Sequence, residues 1–239
     1  MFLKKLLRHF LNEMHLDLTQ NLKYDRLTKL IISRVVKPDS ICVDVGCHKG
    51  EILDLFIEKA PIGGHFAFEP IPVLYYSLLK MYSKRNHVFQ YALSDKEGFT
   101  SFQFVKNAPA YSGILKRSYE QVNPDIEEIN VEMKMLDSVI PGNIKIDLIK
   151  IDVEGGELGV LKGAKQIIKK DKPVIIFECG IGASDYYGTQ PEDVYQFLVN
   201  ENGLNIYLLD AWLKKEKALT EQEFVNVYKN KVEYYFVAN

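Results

Sequence analysis

Cysteine is scarce in this chain. The three present, Cys42, Cys47 and Cys179, are odd in number, and none has the C-x-x-C spacing of zinc and redox sites. That excludes a disulfide framework and fits a reducing cytoplasm. Cys47 and His48 are adjacent, but neighbouring side chains seldom converge on one ion without further ligands, so no metal is expected. Long apolar runs are also missing: none approaches the roughly 20 residues of a spanning helix. Excess charge of one sign is missing too. With 30 basic residues against 32 acidic, the formal net charge is −2. A protein built to coat nucleic acid usually carries a basic excess, so no nucleic-acid partner is expected. Internal repeats and low-complexity linkers are absent as well.

What is present is a large apolar and aromatic supply. The 239 residues are 47% hydrophobic, with 14 Tyr and 13 Phe. That is enough to fill one sizeable core. At the N-terminus Phe2, Leu3, Leu6, Leu7, Phe10 and Leu11 recur at helical spacing, with Lys4, Lys5 and Arg8 between them. Charge breaks the apolar stretches and no small-residue cleavage site follows, so this is not a signal peptide. A basic amphipathic helix over 1–12 suits peripheral contact with an anionic membrane; packing on its own domain or a second subunit is the more ordinary use. Residues 1–37 read as a helical extension that ends before Pro38. Residues 38–239 read as a single domain.

Within that domain the periodicity alternates. Ile41 to Val45 is an apolar run interrupted by Asp44, as in a buried parallel strand. A glycine turn, Gly46 to Gly50, leads into a helix over 51–60. His65 to Glu69 is a second strand, Val73 to Tyr82 a helix, and Val88 to Leu93 a third strand. From 99 to 135 the texture changes to period-two alternation, with Phe102 and Phe104 and later Val131, Met133 and Met135 on one face. This predicts an antiparallel insertion, with a long segment 106–128 placed to cover a site. Strands then return at 146–153, 173–178, 205–209 and 234–237. One helix carrying Leu158, Leu161, Ala164, Ile167 and Ile168 follows the first of them. The expected fold is α/β: a Rossmann-like, doubly wound, seven-stranded and mostly parallel sheet with helices on both faces. The Tyr-rich last strand, Tyr234 and Tyr235, reads as an edge or the seam of a homodimer.

Four of these strands end on acids, Glu69, Asp95, Asp152 and Glu178, and Asp44 lies just ahead of the first turn. In an open α/β sheet, ligands bind beyond the carboxyl ends of the strands, so these acids converge on one crevice. Any one of them alone would serve equally well as a helix cap. The turn Gly46-Cys47-His48-Lys49-Gly50 lacks the middle glycine of a dinucleotide fingerprint, and Glu51 puts a carboxylate where a phosphate would sit. A nucleoside without phosphate fits better. Glu69, at the end of strand two, is placed to accept hydrogen bonds from both ribose hydroxyls.

Val43-Asp44-Val45-Gly46-Cys47-His48-Lys49-Gly50, then Phe68-Glu69-Pro70, then Ala92-Leu93-Ser94-Asp95, resemble the cofactor half of class I S-adenosylmethionine-dependent methyltransferases. Leu136-Asp137, the run Leu148 to Leu158 with its Lys150-Ile151-Asp152-Val153-Glu154-Gly155, and Leu161-Lys162-Gly163-Ala164 resemble the FkbM family more narrowly. The resemblance spans about 40–180. It implies S-adenosyl-L-methionine as cofactor, with Asp44, Gly46 and Gly50 shaping the loop at its methionine end. Glu69, beside Pro70, would hold the ribose, and Ser94 and Asp95 would face the adenine. His48 replaces the asparagine common in relatives, as a contact to substrate or cofactor or as a solvent-facing loop residue. Asp152 is implied as base or acceptor-orienting group and as a contact to the cofactor, with Glu154 and Glu178 next as catalytic groups. Lys150, in an apolar strand, is expected to pair with a neighbouring acid.

The activity expected from the resemblance is O-methyl transfer to a hydroxyl of a sugar, glycan or secondary metabolite. In the insertion, Tyr111, Ser112, Lys116, Arg117 and Tyr119 mix aromatic and hydrogen-bonding groups that suit such an acceptor. The alternatives are an NAD-dependent oxidoreductase on a similar sheet and a non-catalytic adenosyl-binding module.

Overall fold

The computed structural model describes residues 19–82, 86–118 and 123–239. The amphipathic segment 1–12 and Tyr119 lie outside the described residues. Among the described residues, no helix is long and apolar enough to cross a membrane.

The first described helix, α1 (Gln20–Val35), begins on Thr19, whose hydroxyl accepts from Leu22 N at 3.2 Å. Tyr24, Leu27, Thr28, Ile31 and Ile32 repeat at helical spacing and are its buried residues. It ends ahead of Pro38, as the proline predicts. The strands β1 (Cys42–Val45), β2 (Phe66–Phe68) and β3 (His87–Phe89) are joined by α2 (Glu51–Lys59) and α3 (Pro72–Tyr82). After the insertion come β7 (Leu148–Ile151), β8 (Val174–Glu178), β9 (Ile206–Leu208) and β10 (Tyr235–Ala238). These seven form one sheet in the order β3-β2-β1-β7-β8-β10-β9. Only β10 runs antiparallel to its neighbours.

The two faces of the sheet are covered by different helices. Cys42, Leu148, Ile176 and Val237 meet α1, Phe56 and Ala60 of α2, and Leu209 of α8 (Leu209–Lys214). Val43, Ile149, Ile175 and Phe236 meet the opposite set: α5 (Glu157–Gly163), α6 (Lys165–Asp171), α7 (Pro191–Tyr195) and α9 (Glu221–Lys229). Ile31 and Ile32 are fully buried, and each contributes roughly 1.5–3 kcal/mol by leaving water.

Three expectations are corrected. The apolar run 88–93 is not one strand: β3 stays in the large sheet, and after Gln90 the chain enters β4 (Tyr91–Leu93) of a second sheet. There β4 pairs parallel with β6 (Ile126–Lys134), which pairs antiparallel with β5 (Gly98–Val105). The predicted helix after Asp152 is two helices broken at Ala164. The Asp137 carboxylate, in the short α4 (Leu136–Val139), accepts from Gln166 N at 2.8 Å and Ile167 N at 3.0 Å and so starts the second one. Finally, the Tyr-rich strand β10 is no edge, since it is bonded on both sides, to β8 and β9.

Candidate active site

At the carboxyl ends of β1, β2 and β7, flanked by β4, lies a cleft. Its floor comes from the loops after these strands, including Gly46, His48, Glu69, Pro70, Asp152 and Glu154. Its roof comes from the insertion, through Phe102, Pro109, Ala110, Ser112 and Ile114. Topology explains the convergence. Parallel strands on either side of a switch in strand order send their following loops apart and leave a crevice, here between β1 and β7.

The floor is built tightly. Gly46 has φ +77, and a Cβ there would come within 1.9 Å of the Asp152 carbonyl oxygen, so only glycine lets the two loops approach. Glu69 is buried and takes the His48 amide at 2.8 Å on one oxygen and the Ile71 amide at 2.9 Å on the other. A carboxylate has about four acceptor positions, so two stay open for hydroxyls. Burial pushes the Glu69 carboxyl up to about 7, against the pull of those two amides.

Asp44 is fully buried, and neither of its oxygens has a hydrogen-bond partner of good geometry. Burial raises its pKa, and the Lys150 ammonium offsets this only in part. Lys150 is its neighbour across β1 and β7 and is itself buried. As expected, Lys150 pairs with an acid: its Nζ lies 3.1 Å from Asp152 Oδ2. Burial works to raise the Asp152 carboxyl, but Lys150 and then the Tyr235 hydroxyl outweigh it and hold the group below the ordinary range.

His48 has φ 50, a backbone region most side chains avoid. Its ring lines the cleft, and its Nε2 is buried without a partner. The solvent-facing reading is thereby corrected: the backbone turn that lets the His48 amide reach Glu69 leaves the ring among the cleft walls. Burial, and then Lys49, lower its pKa, which favours neutral imidazole.

The remaining predicted residues divide. Glu154, at φ 59, is ion-paired with Arg117 of the insertion. Arg117 is largely buried, lies 5.7 Å from the Tyr111 ring centroid, and donates to the Gly182 carbonyl at 3.4 Å. Leu115 N donates to the Tyr187 hydroxyl at 3.2 Å and Ser118 N to that of Tyr186 at 3.1 Å, so the roof is latched at three points. Glu178 does not line the cleft. It stands beside Tyr235 in the β8–β10 pair, and burial with Asp152 and Glu157 nearby pushes its carboxyl well up. Gly50, which starts α2 at φ +84, also stands off the cleft. A Cβ there would meet the Tyr82 ring at 2.8 Å, so helix packing requires this glycine.

Ser94 and Asp95 are not among the cleft walls either. Because the chain leaves the large sheet at Gln90, it carries them to α5, where a Gly163 Cβ would lie 2.0 Å from the Ser94 carbonyl oxygen. Tyr91 and Leu93 occupy the wall instead. Two further groups had no sequence reading. Glu157 Oε1 accepts from Val153 N at 3.0 Å and Gly155 N at 3.1 Å, which fixes the loop after β7. Tyr187 lines the cleft beside Gly156, where a Cβ would lie 3.5 Å from its ring. The only signal for Glu157 was an acid opening a helix, and for Tyr187 there was none. Among the described residues no group of three His, Cys, Asp or Glu side chains has the geometry to hold a metal.

The donor set fits the nucleoside and amino-acid parts of S-adenosylmethionine. A buried carboxylate with open positions suits a ribose, and an orphaned buried acid beside a glycine turn suits a cationic amino-acid end. Comparison with known proteins agrees. The Methyltransferase FkbM domain pattern matches residues 44–205. The 2-O-methyltransferase NoeI of Sinorhizobium fredii is 30% identical over 168 residues, covering 64% of this chain and 68% of that protein. The methyltransferase sdnD of Sordaria araneosa is 29% identical over 156 residues, covering 52% of this chain and 60% of its own length. The crystal structure of methyltransferase FkbM from Methylobacillus flagellatus superposes with a TM-score of 0.53 at 17% identity, over 85% of this chain but only 44% of that one. That structural likeness speaks for the fold, and the match over most of the cleft's floor speaks for descent: the chain belongs to the FkbM family of methyltransferases, whose cofactor is S-adenosyl-L-methionine.

Proposed function

We propose that the protein moves a methyl group from S-adenosylmethionine to a hydroxyl of a sugar, a glycan or a secondary metabolite. The observation that carries this reading is the roofed cleft. Its floor offers nucleoside contacts, and Phe102, Ser112 and Ile114 of its roof share the lining with Tyr187. The naming of a relative as a 2-O-methyltransferase supports a hydroxyl acceptor.

When bound, the cofactor supplies a methyl group on a sulfonium, open to in-line attack. Glu69 would accept from its ribose, Asp44 and Gly46 would set the loop at its methionine end, and Ile71, Tyr91 and Leu93 would receive its adenine. The protein's main task is then to align the acceptor, which is orientation work. Asp152, held ionised, orients the acceptor hydroxyl by accepting its hydrogen bond. An alcohol must also shed its proton as it attacks. A carboxylate held below its ordinary range is a weak base, and Glu154 is engaged by Arg117. His48 lines the cleft, its Nε2 has no partner within the protein, and its lowered pKa favours the neutral form, so it is our candidate to take that proton.

The test begins with calorimetric titration of S-adenosylmethionine into the wild-type chain and Glu69→Ala. Saturable binding lost in the variant is expected. Transfer of labelled methyl to a panel of sugars follows, with His48→Gln expected to bind cofactor but turn over at least tenfold more slowly. A folded wild-type chain that binds neither S-adenosylmethionine nor its demethylated product would refute the reading.

A further inference from the structure

Asp152 is held from one side only. Lys150 Nζ lies 3.1 Å from its Oδ2, and the Tyr235 hydroxyl donates to the same oxygen. Neither reaches Oδ1, and Asp152 lines the cleft. Tyr235 belongs to β10, outside the 44–205 region that matches the family pattern. Its ring stacks on Tyr24 of α1, with centroids 5.0 Å apart and planes 30° from parallel. The Tyr24 hydroxyl donates to Glu233 and accepts from Tyr234 N at 3.1 Å, and Lys23 pairs with the same Glu233. The hydroxyl that meets Asp152 is therefore itself fixed by a helix and a strand that both lie beyond the family pattern.

We propose that Tyr235 is a positioning residue for Asp152: with Lys150 it occupies Oδ2 and leaves Oδ1 alone turned to the cleft. The methyltransferase reading enters only in what Oδ1 meets there. The charges around Asp152 show why a neutral donor is needed. Lys150 is shared between Asp152 and Asp44, and the acids Glu178 and Glu157 stand close on the β8 and α5 sides. Arg117 is taken by Glu154, and His48 faces the acid as neutral imidazole. One ammonium thus serves several carboxyls. A phenol hydroxyl adds a hydrogen bond to the ionised form without adding charge, which keeps the carboxylate ionised and fixes its rotation. The Tyr235 pKa is itself pushed well up, by burial and then by Asp152, so it stays a donor.

Tyr235→Phe removes one oxygen and keeps the ring that stacks on Tyr24. In the full chain labelled with ¹³C at Asp carboxyls, and with Asp152 assigned through Asp152→Asn, the wild-type resonance is expected to titrate below the ordinary aspartate range. In Tyr235→Phe it should move up by about one pH unit. A tyrosine that merely fills the sheet would leave the Asp152 titration in place, and an unchanged titration in folded Tyr235→Phe overturns the proposal. Should that variant not fold, the wild type carries the test: a downfield Tyr235 hydroxyl proton must shift as Asp152 titrates, and its failure to do so is equally decisive. A wild-type chain that binds no S-adenosylmethionine would sink the methyltransferase reading while leaving the Asp152 titration to be judged by itself.

Discussion

Glu69 accepts two backbone amides, yet its carboxyl is pushed up to about 7, and Glu157 on the facing loop stands at about 7 for the same reason, burial. Folding raises both above the ordinary 4.5, so the folded chain holds these protons more tightly than the unfolded one. The stabilisation is complete below about 4.5 and is lost as pH rises through about 7. The cofactor-free protein should therefore show a falling Tm across that window. Affinity for S-adenosylmethionine should climb across it, because only ionised Glu69 accepts from both ribose hydroxyls. Glu69→Gln should flatten the affinity curve. Calorimetry at several pH values checks this, and a wild-type affinity independent of pH would contradict it. Asp44, Gly46 and Glu69 were legible in the sequence because each sits at a fixed place in a strand-to-turn pattern. Tyr235 was not, because its partner Asp152 lies 83 residues away and nothing local marks the meeting.

The insertion behaves as an element with a fastener. Arg117 is 9% exposed and Glu154 17%, so this ion pair is largely out of water. Removing one partner of such a pair leaves the other charge uncompensated, at a cost on the order of 3 kcal/mol. Arg117→Ala is expected to lower stability by about that amount and to speed amide exchange in 109–118 while leaving the β1–β7 strands protected. Exchange rising equally in both regions would mean that the pair supports the whole domain and not the roof. The antiparallel character of the insertion was readable from its alternating faces. The change of sheet at Gln90 was not, because Val88, Ala92 and Leu93 are buried on either side of it and one glutamine between apolar residues is no turn signal. The break at Ala164 was hidden for a similar reason: helical periodicity runs through it, and the cap that starts α6 comes from Asp137, 29 residues earlier than Gln166.

At the scale of the whole molecule, the seven strands of the large sheet follow from the alternation of apolar runs and helical stretches, while their order comes from the structure. The part of the fold beyond the family pattern also carries packing. Helix α1 covers Cys42, Phe56, Leu148, Ile176 and Val237 on one sheet face. A chain begun at residue 38 would expose that face, and it is expected to aggregate or to lose cooperative unfolding where the full chain melts in one transition. Retention of a single sharp transition in that fragment would show that α1 is an accessory. The change of sheet at Gln90 has a consequence for how such a protein can diversify. Since β4 finds its partner in β6, excising the small sheet as a cassette would strand three residues that continue directly from the cofactor floor. Only the tip between β5 and β6 can be exchanged without that damage, so length and sequence can vary in one loop while the framework beneath it stays under constraint.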